Sequence, residues 1–593
     1  MEERIRGAVE KALADLGVAG VAFVVERPTQ SSFGDYSTNA AMVAHRSWKV
    51  KEKNDLAQVG FVLEKANQIS GTVSTNGVEW NNPFELAEVL AKKIGDSLSG
   101  LVSEVKAVRP GFINITLAAD TVRAEIATAA AQGSEWGESS ELGSKRVLVD
   151  YANPNQFKEL HIGHLMSAIL GESFVRLKRA EGAEVAGCSF GGDVGPHVAK
   201  ALWALVQSGV TTIESAQQIG EAYARGATAY GEDTAVKGEI DALNVRIYDV
   251  VARAGKSEPL TSEDSALYSL WRAGREISMQ EFRRIFGFFG TKLDYDFYDS
   301  DTVEPGLRTV RDGLAQGVFK ESEGAVVYDG EAKGLHTLVF ITSRGTPTYE
   351  AKDVGLAFLK EETYPADESI IVTSNEQIGH FKVVLAALED LAPTLGAKTK
   401  HLSHGFMRLT SGKMSSREGT VITALDLLKE VTEKASEKNP DPLIAEQVAI
   451  GAIKYMVLRQ APGSDIIFDP QKSLSLEGDS GPYLQYALVR AKSVLAQAGA
   501  DASTADEAPP EPYEIERLIV HYPEVVARAA RELAPNMVVT YLTELAGEWN
   551  SFYAAERIIG GSHQKHKLMV ARAFVHTMEN GLTLLGIPTP SRL

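Results

Sequence analysis

Cysteine is nearly missing from this chain. Cys188 is the only one in 593 residues, so no intramolecular disulfide can form, and the composition suits a reducing compartment. Long apolar runs are missing too. No stretch approaches the ~20 residues a bilayer crossing requires, so no membrane association is expected. The amino-terminal MEERIRGAVEKALADLG reads as a charged amphipathic helix rather than a signal peptide, and a cytoplasmic protein is expected. Positive charge is in deficit, with 60 Lys and Arg against 79 Asp and Glu for a net charge of −19. That balance argues against a protein that coats nucleic acid through overall charge. Nucleic-acid binding would have to use local basic patches and weaken steeply as salt rises. What remains is ordinary for a globular protein, 44% hydrophobic and 23% charged, and long enough for roughly three or four domains.

The chain is organised around residues 146–190. Arg146 to Tyr151 is a short apolar, β-branched run suited to a buried parallel strand, and Pro154 ends it. From Gly163 the residues Leu165, Ile169, Leu170, Phe174 and Leu177 recur at helical spacing until Gly182, after which Glu184 to Phe190 supplies another strand. The pattern predicts a βαβ unit. His161, Gly163 and His164 then fall where the first strand's carboxyl end meets the helix amino terminus, the place where open α/β sheets bind ligands. Unpaired helix N–H groups there favour phosphate, and Gly163 lets a nucleotide approach without a Cβ in the way. Lys158 adds a positive charge one turn upstream. Plainer readings are a pair of helix-capping histidines or half of a zinc site. Zinc would need a third and fourth ligand cluster, and the chain offers one cysteine.

The run Asn153-Pro154-Asn155, through Lys158-Glu159-Leu160 to His161-Ile162-Gly163-His164, resembles the first signature of class I aminoacyl-tRNA synthetases, in the form found in the arginyl-tRNA synthetases. Gly412-Lys413-Met414-Ser415-Ser416-Arg417-Glu418-Gly419 resembles the lysine loop of the same class. The two signatures stand in the right order, about as far apart as a nucleotide-binding domain with an insertion requires. Ser416 occupies the place of the second lysine of the commonest pattern, and the resemblance implies that Lys158 supplies that charge.

The resemblance implies a multidomain α/β protein with a Rossmann-like class I synthetase catalytic domain. An N-terminal α+β module over 1–120 would contact tRNA, the catalytic domain would span 121–430 with a helical insertion at about 196–335, and an all-helical anticodon-binding domain would span 431–593. The implied activity is ATP-dependent attachment of L-arginine to tRNA(Arg) through an arginyl-adenylate, with release of AMP and pyrophosphate. Mg2+ would accompany ATP, activation would wait for tRNA, and a monomer is expected.

The same resemblance assigns residues. Lys158, His161, His164 and Lys413 would be catalytic, as electrostatic stabilisers of charge growing on the phosphates. Gly163, His380, Met414 and Ser415 join His161, His164 and Lys413 in binding ATP. Arginine would be held by Asn153, Asp301, Tyr349, Asp353 and Gln377. Tyr349 and Asp353 are four apart and share one helical face, and a carboxylate beside an aromatic wall suits a guanidinium. Read without the family, that pair is a helix start with an exposed acid. Tyr483, Tyr553, Arg557 and Lys565 would bind tRNA, with Phe552 and Lys567 in the same run, because aromatics among basic residues suit unstacked bases. Core packing explains any one of those aromatics equally well.

Elsewhere the patterns are structural. Gly34-Asp35 and Pro110-Gly111 read as turns of the first module, and residues 47–80 as an inserted helix with a hairpin at Asn76-Gly77. Gly192-Asp193 reads as a structural turn. The run HLSHGFMRL before the lysine loop reads as a strand, and AGADASTADEAPPEPYE as a link between helices. Two rivals remain. A class I synthetase for cysteine would need zinc-type ligands, and one for lysine has no reason for the N-terminal module. A tRNA-binding scaffold without catalysis would not need His161, His164 and Lys413, and pyrophosphate exchange separates it from an enzyme.

Overall fold

A computed structural model of the chain describes residues 1–53, 80–410, 423–498 and 508–593. Most of the inserted stretch at 47–80, the whole lysine loop Gly412 to Gly419 and the middle of the Pro-, Ala- and acid-rich link lie outside the described residues. The described residues fall into two compact units, and the carboxy-terminal helical stretch is divided between them.

The first unit comprises Met1–Trp136, Ala491–Glu524 and Gly547–Thr577. Its helices α1 (Glu2–Asp15), α2 (Ala40–Lys53), α3 (Pro83–Ser97) and α4 (Ala119–Gln132) accompany strands β1 (Val25–Glu26), β2 (Tyr36–Thr38), β3 (Val102–Val108) and β4 (Phe112–Leu117). The strands form an antiparallel sheet in the order β1-β2-β4-β3. In β4 the residues Ile113, Ile115 and Leu117 face inward and alternate with half-buried ones, the period-two pattern of a one-sided sheet. α3 begins where Asn82 accepts a hydrogen bond from the Glu85 N–H at 3.1 Å and Pro83 supplies a fixed φ. The Gly34-Asp35 turn is also a fastening point. The buried Asp35 carboxylate accepts from the Leu117 N–H at 2.7 Å and from Arg517 at 2.8 Å, which ties the sheet to the helix Glu514–Ile519 of the same unit.

The second unit opens with the expected βαβ: β5 (Arg146–Asp150), α5 (Ile162–Ala180) and β6 (Glu184–Gly191). Four helices follow, α6 (Pro196–Gln207), α7 (Ala216–Glu232), α8 (Thr234–Gly255) and α9 (Ser262–Phe288), around their own core that includes Leu202, Ile240, Ile247 and Trp271. Then come β7 (Tyr295–Tyr298), α10 (Asp299–Ala315), the antiparallel strands β8 (Lys320–Ser322), β9 (Ala325–Tyr328) and β10 (Leu338–Ile341), and α11 (Tyr349–Thr363). The unit continues through β11 (Glu368–Ser374), α12 (Ile378–Leu391), α13 (Pro393–Lys398), β12 (Thr399–His404), β13 (Met407–Leu409), α14 (Ala424–Ser436), α15 (Pro442–Leu458) and β14 (Ile466–Phe468).

Strands β12, β11, β5, β6 and β7 form a parallel sheet in that order. The chain leaves β5 toward β6 on one side and returns to β11 on the other, so the topological switch point lies between β5 and β11. A ligand crevice is expected at the carboxyl ends of those two strands.

Three expectations need correcting. The insertion expected at about 196–335 is helical without a strand only to Phe288, because Tyr295–Tyr298 joins the parallel sheet beside β6 and, after α10, β8 to β10 form a second, antiparallel sheet. The run HLSHGFMRL is two strands. A Cβ on Gly405 would lie 2.3 Å from the Ser464 carbonyl oxygen, so the backbones meet there and β13 leaves the main sheet to pair with β14. That pairing also places a strand within the stretch 431–593, expected to be all helical.

Candidate active site

The loop between β5 and α5 is held in a strained conformation. Ala152 and Phe157 both have left-handed φ, +61° and +62°, an arrangement that costs of order 1–3 kcal/mol per residue and survives only where neighbours over-determine it. Here they do. The Ala152 N–H donates to Ser167 Oγ at 3.2 Å, the Phe157 N–H donates to Ser278 Oγ at 3.1 Å, and the buried Phe157 ring lies against Gly274. Between them, Gln156 donates to the Gly192 carbonyl and Gly192 to the Pro154 carbonyl, both at 3.1 Å, which holds the loop along the end of β6.

His161 caps α5: its Nδ1 accepts from the Gly163 N–H at 3.1 Å. The capping reading therefore holds for His161 but not for His164, which lies inside α5, and it has a chemical consequence. With Nδ1 accepting, Nε2 carries the proton and is the nitrogen that donates outward. His164 stacks on His161 with ring centres 3.7 Å apart, and its Nδ1 is buried with no hydrogen-bond partner among the described residues. Burial, then the neighbouring charges of Lys158 and His404, hold His161 below the ordinary histidine range, and His164 is pushed well below it by burial, His161 and Lys158. Both rings are neutral near pH 7.

A cavity of about 680 Å³ opens at the switch point, walled by the ends of β5 and β11. Among the residues expected in the site, His161, Gly163 and His164 line it on the α5 side, and Asn153, Tyr349, Asp353, Gln377 and His380 line the remainder. Asn153 Oδ1 also accepts from the Phe190 N–H at 2.8 Å, which orients its amide. Tyr349, the first residue of α11, is 64% exposed and stands at the rim.

Asp353, one turn further along the same helix face, carries an ion pair: His380 Nε2 lies 2.5 Å from Asp353 Oδ2, and His380 Nδ1 lies 3.4 Å from Glu350 Oε1. These two carboxylates hold the imidazole charged, with its pKa raised to about 9 against the opposing effect of burial. Behind them Lys360 and Asp150 form a buried pair.

Two expected residues are not in the cavity wall. Lys158 lies beside it, its ammonium 4.8 Å from the centre of the Tyr223 ring and close enough to depress both histidines. Asp301 is the correction. It sits on the exposed face of the first turn of α10 and does not line the cavity. The inward acid there is Asp299, 3.3 Å from Lys352, because the turn from β7 into α10 directs the first residue inward and the third outward. Asp193 is structural, as expected: buried, it accepts from the Ser300 N–H and hydroxyl at 2.9 and 2.7 Å.

Lys413, Met414 and Ser415 lie outside the described residues, but the residue after that stretch is informative. Thr423 bridges His161, and the Ala424 N–H donates to the Leu160 carbonyl at 2.8 Å, so the chain re-enters the described structure against the paired histidines.

Of the residues expected to meet tRNA, Tyr483 is half-buried in the second unit, whereas Tyr553, Arg557 and Lys565 belong to the first. Arg557 is exposed and Tyr553 half-buried. Lys567 and Phe552 serve the core instead: Lys567 is buried and paired with Glu556 at 2.6 Å, and the Phe552 ring is buried 6.0 Å from that of Trp549. Glu350 was missed by the sequence reading. Its spacing of three from Asp353 on a helix was the available signal.

Comparison with known proteins agrees with this geometry. Residues 125–470 match the family described as tRNA synthetases class I (R), catalytic domain, residues 2–117 the arginyl tRNA synthetase N terminal domain, and residues 484–593 the DALR anticodon binding domain. An arginine--tRNA ligase of Flavobacterium psychrophilum is 30% identical over 93% of this chain and 96% of its own. One of Treponema denticola is 30% identical over 82% and 85%. The arginyl-tRNA synthetase of Thermus thermophilus superposes with a TM-score of 0.78 at 25% identity, covering both chains fully. Paired histidines at a switch point, an acid-lined cavity beside them and matches along nearly the whole length lead to one assignment: the chain belongs to the arginyl-tRNA synthetase family of class I.

Proposed function

We propose that the chain is an arginine--tRNA ligase, joining L-arginine to tRNA(Arg) with ATP through an arginyl-adenylate. One observation carries the assignment of roles: the paired histidines and Asp353 line the same cavity at the switch point. The arginine carboxylate attacks the α-phosphorus of ATP and pyrophosphate leaves. A hydroxyl of the tRNA's terminal ribose then attacks the activated carbonyl and AMP leaves. Neither step forms a bond to the enzyme.

Negative charge grows on the phosphates in the first step. His161, through Nε2–H, and His164 donate to them as neutral imidazoles, with Lys158 and Lys413 adding positive charge. Asp353, with Tyr349 at the rim, takes the guanidinium, Asn153 and Gln377 position the amino-acid end, and Gly163 and His380 flank the nucleotide. Met414 and Ser415 are assigned to ATP with Lys413. Tyr483, Tyr553, Arg557 and Lys565 are assigned to tRNA. The 1–120, 121–430 and 431–593 division is kept as the functional one.

Mg2+ is proposed to travel on the triphosphate. The groups beside the paired histidines are imidazoles and a lysine rather than carboxylates, and among the described residues no cluster of three or more His, Cys, Asp or Glu is arranged to hold a metal. No step is routed through it. A cytoplasmic monomer is the proposed state.

The test is charging of bulk tRNA with each amino acid in turn. Arginine, ATP and tRNA together should sustain AMP release, and lysine or cysteine in place of arginine should not. Charging with another amino acid would refute the assignment.

A further inference from the structure

The acid pair that faces the cavity already holds a cation from within the chain. Glu350 and Asp353 stand three apart on one face of α11, and the two nitrogens of His380 reach one carboxylate each, at 3.4 and 2.5 Å. A planar cation with two N–H groups bridging two carboxylates is the arrangement a guanidinium would make. All three side chains are only 14–17% exposed, and two carboxylates there without a counter-ion would carry a large desolvation cost.

We propose that His380 is an internal stand-in for the substrate guanidinium, and that arginine enters by displacing this imidazolium from Asp353 and Glu350. The proposal rests on the reading that Asp353 receives the guanidinium.

The other groups facing this ring give the exchange a direction. On β12, His401 is held neutral by burial and by the charge on His380, its pKa lowered to about 4. Phe381 stacks on His401 with ring centres 4.4 Å apart and meets His380 edge-on at 5.0 Å. Beyond Asp353 lies the buried pair of Lys360 and Asp150. Once a guanidinium takes the carboxylates, His380 keeps its burial and gains a neighbouring positive charge. Both disfavour the imidazolium, so the ring gives its proton to solvent. While His380 lies between the two carboxylates the proton is held up to about pH 9. Between neutrality and that limit, arginine binding is therefore coupled to release of one proton, and affinity rises with pH. The exchange also bears on specificity. A ligand gains only what it offers beyond the imidazolium already present, and a lysine ammonium, a compact charge without a planar fork, matches the two carboxylates less well than a guanidinium.

The measurement is calorimetry of arginine binding to the full chain, repeated at pH 8 in buffers of different ionisation enthalpy, with His380→Gln as the reference for any proton contributed by arginine's own amino group. The wild-type protein should release close to one proton more per arginine than the variant. Its Kd should fall by up to tenfold per pH unit between pH 7 and 8.5, with a flatter profile in His380→Gln. If that variant does not fold, the buffer series on the wild-type protein decides alone. Arginine binding lost in Asp353→Asn, with no proton released by the wild type, would overturn the exchange and leave the pocket standing. Binding unchanged in Asp353→Asn would overturn both.

Discussion

Single buried charges decide the residue-scale behaviour. Asp353→Ala leaves His380 without its nearest acceptor and removes the carboxylate proposed to receive the guanidinium. Removing one member of a buried charged pair costs about 2–5 kcal/mol, so the KM for arginine should rise by roughly two orders of magnitude or more with a smaller change in the KM for ATP, measured by steady-state charging. His161→Asn removes the Nε2–H proposed to donate to the phosphates. It should lower kcat by about 10²–10³-fold, the usual effect of losing one such donor, with tRNA affinity unchanged by filter binding.

Lys454 is a different kind of charge. Its ammonium nitrogen is buried with no hydrogen-bond partner among the described residues, and burial lowers its pKa to about 7. Since the folded pKa lies below the unfolded value, the residue destabilises fully below about pH 7. The penalty fades as pH rises toward 10.5 and is absent above it. Lys454→Met should therefore raise Tm at pH 6.5 and have progressively less effect as pH is raised, read by thermal melts across that range.

At the scale of elements, the loop that leads to His161 depends on how α5 lies on the strand before it. Gly171 faces Tyr151, and a Cβ there would come within 2.2 Å of the ring. Tyr151 donates to Glu172 at 3.0 Å, which in turn accepts from the Lys292 N–H and from Arg176, so the ring has little room to retreat. Overpacking of this sort costs typically 1–3 kcal/mol. Gly171→Ala should lower the denaturant midpoint accordingly. It should also reduce kcat, because Tyr151 directly precedes the strained Ala152 that starts the loop toward His161. A stability loss with unchanged kcat would mean that the loop is insulated from the packing beneath it.

At the scale of the whole molecule, a chain of net charge −19 that binds tRNA must do so through local basic groups. For roughly four to six phosphates engaged, affinity for tRNA(Arg) should fall by about 10²–10³ between 50 and 200 mM salt, linear in the logarithm of salt in a binding titration. No helix among the described residues is long and apolar enough to cross a membrane. Periodicity and punctuation were sufficient for the local pieces. The βαβ unit, the helix beginning at Tyr349 and the histidines at a strand-to-helix junction follow from spacing that any short window of sequence contains. Tertiary structure decided what touches what. It brought His380, 27 positions away, onto Asp353, turned Asp301 outward while Asp299 turned in, buried Lys454, and grouped Asp35 with Arg517 across 482 positions. The physical reason is the range of the forces involved. Helix and strand periods arise from hydrogen bonds and side-chain directions repeated every few residues, whereas burial and charge pairing depend on which surfaces meet after the chain has closed on itself.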